Sequence, residues 1–300
     1  MFANEKKAYQ FGSNIFHQSI CINSLEIIEA LNNKIFMRDF LYGVVNTPPS
    51  ISLPFGKSEN FSFIKKVFDN RYSEFVVQTT ESNGGSGTFL LNYRNCPSFE
   101  SNIQVLITPY FENSIPINVH IAIERDTYRI FPPSVQVILN RFNYSGSDFI
   151  RYQMLESSLR NKVIECCQNI AMKLMTLECT GVFGVDLLLI EQEVFFLECN
   201  FRYQGSSFIL NKALIEKNFP SIFQINYDCF YNSLANIPKD IYTMPIYYSC
   251  LRRTINNLNI RLPNPILTIK DSDFSKDFSN DGYIYHELFD ISITNFIEKQ

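Results

Sequence analysis

Between Glu156 and Thr176 the apolar residues Leu159, Val163, Ile164, Cys167, Ile170, Ala171, Leu174 and Met175 recur every three or four positions. That spacing is one face of an α-helix, and this is the longest periodic stretch in the chain. A shorter amphipathic segment runs from Ser24 to Asn33, with Leu25, Ile27, Ile28, Ala30 and Leu31 apolar. Lys34 to Tyr42 also reads as helix and is stopped by Thr47-Pro48-Pro49, because proline disfavours helix at the residue before it. Ser62 to Phe68 is a further short helix.

Elsewhere the period drops to two. Glu74 to Thr79 and Thr88 to Asn92 read as strands joined by the turn Asn83-Gly84-Gly85-Ser86-Gly87, a hairpin with a glycine tip. Gln104 to Thr108 is a strand, and Pro109 opens a connector through Pro116. Ile117 to Ile123 and Thr127 to Phe131 alternate as a second hairpin. Gly181 and Gly184 read as punctuation after the long helix, followed by strands Val185 to Ile190 and Val194 to Cys199. From Ser207 onward helix and loop alternate with little motif signal. Hairpins interleaved with helices predict an α+β fold with antiparallel sheets.

Composition narrows the function. The 300 residues are 46% hydrophobic and 19% charged, enough to bury sizeable cores, and the net charge of −4 lacks the dense basic face of a nucleic-acid binder. No apolar run approaches the ~18 residues of a membrane helix. The first ten residues lack the basic-then-apolar pattern of a signal peptide. The eight cysteines include no CxxC pair or zinc spacing. Together these features predict a reduced, cytoplasmic protein that binds neither nucleic acid nor membrane.

One constellation carries chemistry. Asp186 opens a strand, while Glu198 and Asn200 lie two apart near the end of the next, so their side chains leave the same sheet face. A hairpin brings the three together. Two carboxylates and an amide oxygen are hard ligands suited to Mg²⁺. Arg202, two residues further on, has the fork geometry for phosphate oxygens. Their neighbours, such as Val185, Leu187, Phe196 and Leu197, are apolar, and charges among buried strands are costly unless paired or metal-bound. The glycine turn is neither a GxxxxGK[ST] phosphate loop nor a GxGxxG dinucleotide turn, since a strand follows it and no lysine does. Ser134 and Gln136, Gln204-Gly205-Ser206-Ser207, Cys166-Cys167 and Arg252-Arg253 are weaker candidates, each with an ordinary structural reading.

In order and spacing these segments resemble the ATP-grasp superfamily of carboxylate–amine and carboxylate–thiol ligases. The resemblance runs from about residue 34 to 210: Lys34 on a helix with Arg38-Asp39, the glycine hairpin, a hinge strand, then Gly181 to Asp186 and Glu198-Cys199-Asn200-Phe201-Arg202. It implies two α+β lobes with antiparallel sheets gripping ATP between them. Residues 34–111 would be linker helices and the small lobe, and 112–300 the large one. Residues 1–33 would be the remnant of an N-terminal domain.

By the same resemblance, Lys34 contacts the phosphates, and Gly84, Gly85, Ser86 and Gly87 close over them. Thr108, Tyr110 and Phe111 line the adenine pocket, and Asn118 or Glu112 holds the ribose. Asp186, Glu198 and Asn200 hold Mg²⁺ (or Mn²⁺), and Arg202 steadies the transferred phosphoryl group. The implied activity joins a small carboxylate to an amine, or less readily a thiol, through an acyl phosphate. Two departures stand out. Gln78 occupies the place of the family's second lysine, and a glutamine donates a hydrogen bond but no charge. The N-terminal remnant is short and apolar (Phe2, Tyr9, Phe11, Ile15, Phe16), which predicts a homodimer or a partner subunit covering that side.

Overall fold

In the computed structural model, the structure describes residues 21, 23–55, 61–80, 87–97, 103–139, 141–231, 233–252 and 283–287. Residues 1–20, which include Phe2, Tyr9, Phe11, Ile15 and Phe16, the loop residues Asn83 to Ser86, and Arg253 lie outside the described residues.

Two short helices come first, α1 (Leu25–Asn32) and α2 (Lys34–Phe40). Asn33 separates them. Its side-chain oxygen accepts from the backbone N–H groups of Ile35 and Phe36 at 3.0 and 3.1 Å, an N-cap that starts a new helix at Lys34. The smaller sheet contains β1 (Ile51–Phe55), β2 (Phe75–Thr79), β3 (Thr88–Leu91) and β4 (Ile103–Pro109), ordered β1-β4-β2-β3. Helix α3 (Phe61–Val67) closes its core of Phe55, Ile64, Phe68, Phe75, Val77, Leu91, Val105 and Ile107. Pro54 is tolerated in β1 because that strand lies at the sheet edge, where one side needs no ladder donor.

The larger sheet is built from β5 (Ile115–Glu124), β6 (Thr127–Ile130), β7 (Ser134–Leu139), β8 (Asn143–Asp148), β9 (Gly181–Ile190), β10 (Glu193–Asn200), β11 (Tyr248–Arg252) and β12 (Tyr283–Glu287). Its order is β10-β9-β5-β7-β8-β11-β12, with β6 beside β5. Four helices accompany it: α4 (Phe149–Gln153), α5 (Ser157–Met175), α6 (Ser207–Glu216) and α7 (Ile222–Tyr231).

Alternation along β5 decides what each face of the sheet does. Ile117, Val119, Ile121 and Ile123 point to one side and pack with Val163, Cys167, Ile170 and Leu174 of α5. Each such buried aliphatic side chain contributes about 1.5–3 kcal/mol. Leu31, Met37 and Leu41 join this same core, so α1 and α2 pack on the larger sheet. Asn118 and His120 point to the other side, where α6 and α7 cover Ala122 and Val182 and polar residues collect beside them. No helix among the described residues is long and apolar enough to cross a membrane.

The hydrophobic pattern locates α1, α2, α3 and α5 and the outer hairpins, but misses α4 and sets no bounds for α6 and α7. It misreads Gly181 and Gly184, which lie inside β9 rather than ending the helix, so Asp186 sits in mid-strand. It also passes over β1, β7 and β8.

Candidate functional site

The register of the large sheet sets Glu198, Asp186, Asn118 and Ser134 side by side on β10, β9, β5 and β7. Glu198 reaches this row because of a β-bulge. Phe196 pairs with Leu187 on the core face, and without the irregularity Leu197 would face Asp186 and Glu198 would point into the core. The extra residue between Phe196 and Glu198 resets the alternation, so Glu198 opposes Asp186 while Cys199 opposes Val185 in the core. Four consecutive apolar residues, Val194 to Leu197, are the sequence trace of that reset.

Asp186 is held by side-chain amides. Asn118 Nδ2 and Gln136 Nε2 donate to its Oδ1 at 2.7 and 2.6 Å, and Asn200 Nδ2 donates to its Oδ2 at 2.8 Å. Asn200 Nδ2 also lies 3.3 Å from Glu198 Oε1. Burial first, and the neighbouring Glu198 second, push the Asp186 carboxyl up to about 7, against the Asn118 and Asn200 hydrogen bonds and the Arg202 charge. On the open side Lys34 Nζ lies 3.4 Å from Glu198 Oε2, with Lys34 only 6% exposed. Arg202 Nη2 donates to Asn200 Oδ1 at 3.2 Å and Nη1 to the Tyr203 carbonyl at 3.3 Å.

Behind the row lies a polar floor. Gln204 Oε1 meets Asn118 Nδ2, and Ser206 Oγ donates to Asn118 Oδ1 at 2.5 Å. Gln204 lies across the sheet above Gly184, where an added Cβ would come within 2.0 Å of its side chain, so only glycine leaves the room. The Gln204 backbone N–H donates to Ser207 Oγ at 2.8 Å, and Ser207 Oγ lies 2.7 Å from His120 Nε2. Burial drives the His120 pKa down to about 3, so its ring stays neutral while sharing a hydrogen bond with Ser207.

The hinge and small lobe hold the remaining predicted residues. Lys34 N donates to the Thr80 carbonyl at 3.2 Å, tying the start of α2 to the end of β2. Gln78 sits on β2 opposite Thr88 and Leu106. Gly87 has φ 142°, a backbone that favours glycine, and its carbonyl accepts from Thr79 N at 2.9 Å. Gly84, Gly85 and Ser86 fall outside the described residues. Thr108 is buried on β4. The Tyr110 ring is covered by the Arg141 guanidinium at 5.2 Å and meets Phe142 edge-on at 6.2 Å. Arg141 also pairs with Glu74 of the small lobe at 2.8 Å. Phe111 turns towards Tyr72, with ring centroids 6.0 Å apart.

The structure therefore brings Lys34, Asp186, Glu198, Asn200 and Arg202 together and adds Asn118 and Gln136 as supports. Asn118, expected at the ribose, stands in the floor of the carboxylate row. Glu112 is exposed beyond the hinge. Arg38 escaped notice as a contributor, although it lies one helical turn after Lys34 and so shares its face.

Among the described residues no three His, Cys, Asp or Glu side chains are grouped to hold a metal. Here two carboxylates stand in register with an amide beside them. Rotating the Asn200 amide presents Oδ1 in place of its N–H, which gives three oxygen donors and suits Mg²⁺ completed by phosphate oxygens and water.

The profile of a family described as the ATP-grasp domain matches residues 31–206. No curated protein matches the chain in sequence. Solved structures share the fold. The biotin carboxylase domain dimer of Hydrogenobacter thermophilus 2-oxoglutarate carboxylase, in complex with MgADP, ADP and bicarbonate, aligns with TM-score 0.64 and 12% identity, over 83% of this chain and 56% of that one. Carboxyaminoimidazole ribonucleotide synthase from Aspergillus clavatus, complexed with ATP, aligns with TM-score 0.60 and 14% identity, over 95% and 74%. N5-carboxyaminoimidazole synthetase from Staphylococcus aureus, complexed with ADP, gives TM-score 0.58 and 14% identity over 91% and 71%. The chain thus spans just over half the length of the biotin carboxylase domain.

Proposed function

The chain belongs to the ATP-grasp family, and we propose that it is an ATP-dependent carboxylate ligase using Mg²⁺ (or Mn²⁺). A substrate carboxylate oxygen attacks the γ-phosphorus of ATP, ADP leaves, and an acyl phosphate forms. The nitrogen of an amino acid or small amine then attacks the acyl carbon and expels phosphate, leaving an amide; a thiol acceptor would leave a thioester. The observation that carries this reading is the convergence of Lys34 on the Asp186–Glu198 pair, with Asn200 and Arg202 beside it.

In this reading Lys34 binds the phosphate oxygens and Arg202 offers its fork to the transferred phosphoryl group. Asp186, Glu198 and Asn200 hold the metal, which when bound neutralises phosphate charge. Asn118 and Gln136 fix Asp186 in place. Gly84, Gly85, Ser86 and Gly87 cover the phosphates, and Thr108, Tyr110 and Phe111 border the adenine. The work is positioning and charge neutralisation, so no enzyme nucleophile is needed. Neighbours solved with ATP or ADP support the nucleotide. We place the reaction in the cytoplasm, where ATP is made available.

The test is ADP release from ATP and Mg²⁺ against a panel of small acids and amines, preceded by a thermal-shift screen. Binding to the folded state alone raises apparent stability by mass action. A chain that neither shifts with Mg-ATP nor releases ADP refutes the proposal. Gln78 favours a second reading, a nucleotide-binding regulatory or scaffold subunit, because it removes one positive charge from the phosphate clamp. That reading expects a clear shift with Mg-ATP and no turnover with any substrate pair.

A further inference from the structure

Arg38 is 5% exposed, and among the described residues none of its three guanidinium nitrogens has a hydrogen-bond partner. Taking a charge out of water without hydrogen-bond partners is costly, so its presence calls for an explanation. The side chain stands over the Phe196 ring, 5.9 Å from its centroid, beside the bulge that turns Glu198 outward. It lies near enough for its charge to act on Glu198. Lys34, one helical turn earlier, reaches the same carboxylate from the open side. Arg202 acts on Asp186 from the third direction.

Among the described residues, the charges placed around the site are therefore two carboxylates against Lys34, Arg38 and Arg202. Their formal sum is positive before any ligand arrives. A bare divalent cation entering such a site meets three fixed positive charges as well as its ligands. A nucleotide polyphosphate meets the opposite field, and it brings enough negative charge to make the metal welcome.

We propose that Arg38 is a buried positioning charge which makes the Asp186–Glu198 site bind divalent metal only together with a nucleotide polyphosphate. This rests on the nucleotide-and-metal reading of the site given above. Arg38 needs no direct contact with either ligand. With no hydrogen-bonding neighbour to neutralise it, its field falls on Glu198 and whatever Glu198 holds. An extended hydrophobic side chain fits the space over Phe196, so removing the charge need not remove the packing.

The test is Mn²⁺ binding by electron paramagnetic resonance to the full chain, with and without ADP. ADP binding is measured separately by calorimetry, with and without Mn²⁺. For the wild type, ADP should tighten Mn²⁺ binding on the order of a hundredfold, and by linkage Mn²⁺ should tighten ADP by the same factor. Arg38→Met should bind Mn²⁺ alone on the order of tenfold tighter and metal-free ADP correspondingly weaker, shrinking the coupling. Arg38→Lys, which keeps the charge, should follow the wild type. If Arg38→Met does not fold, Arg38→Gln, a neutral side chain with a polar head, takes its place and is held to the same expectation. Wild-type Mn²⁺ binding that is indifferent to ADP overturns the inference, as does a folded Arg38→Met whose Mn²⁺ and metal-free ADP affinities are both unchanged. A chain that binds neither Mn²⁺ nor ADP refutes instead the reading of the site on which the inference stands.

Discussion

Replacing Gly184 with alanine puts a methyl group where the Gln204 amide now lies, 2.0 Å from Cδ, 2.2 Å from Oε1 and 2.3 Å from Nε2. The clashing atoms are the end of a flexible chain, so the backbone need not yield. The Gln204 head can swing aside, and the cost is then whatever it was holding. It meets Asn118 Nδ2 in a site where Gln204 is 6% and Asn118 3% exposed, so its departure strands a buried amide and leaves Asn118 less well held beneath Asp186. Losing such a hydrogen bond with a buried partner left behind costs about 1–3 kcal/mol. For a chain of 300 residues that corresponds to a fall in Tm of roughly 2–5 °C. Gln204→Ala removes the same contact from the other side and should cost a similar amount. The informative variant is the double one. With Gln204 truncated the alanine at 184 has room, so Gly184→Ala should add little to Gln204→Ala, and the cycle should show a coupling of about 1 kcal/mol or more. Thermal and urea unfolding followed by circular dichroism supply the values. Costs that simply add to within ~0.5 kcal/mol would show that the two residues do not share that space, and the floor of the site would have to be redrawn.

Three further outcomes are expected. Glu198→Gln should leave the far-ultraviolet spectrum unchanged and abolish Mg²⁺-dependent ADP release; wild-type turnover would remove Glu198 from the metal set. Gly181→Ala should lose about 2–4 kcal/mol in urea unfolding, because φ is 107° and the new Cβ would come 2.9 Å from Asn226 Oδ1 and the Phe230 ring, while Asn226 Oδ1 also accepts from Val182 N. His120 titrates near 3 when folded and near its usual 6.5 when unfolded, so the unfolded chain takes up the proton first. Its contribution is whole above about pH 6.5 and is lost as pH falls towards 3; His120→Asn should flatten the stability curve between pH 6 and 4 by up to about 1.4 kcal/mol per pH unit, and an unchanged slope would contradict a buried neutral ring.

What the sequence revealed and what it hid have physical causes. Helix α5 was legible because its apolar stripe keeps one period over nineteen residues. The Asp186–Glu198–Asn200 set was legible because charged and amide residues interrupt otherwise apolar strands. Strand β8, Asn-Tyr-Ser-Gly-Ser-Asp, was not, since serine and glycine carry no strand signal and it is held by pairing to β7 and β11 on either side. Gly184 looked like a break because glycine usually is one; here the missing side chain makes room for residue 204, a contact twenty positions away that no local pattern records. Arg38 reads as one more surface helix charge until its burial is known.

The irregularity in β10 gives that hairpin something like a reading frame. Residues upstream and downstream of Leu197 are in opposite phase with respect to the sheet, and the metal-facing positions are correct only because one residue is left uncounted between them. Substituting the half-exposed Leu197 with another residue leaves the phase intact. Deleting it would leave Phe196 opposite Leu187 and Glu198 opposite Asp186 in a regular ladder, whereas deleting Cys199 would carry Asn200 to the core face opposite Val185. The strand should therefore accept substitutions at position 197 and the loss of one residue up to it, so that a library of single-residue deletions across 194–200 would divide according to whether the deletion falls before Glu198 or from Glu198 onward.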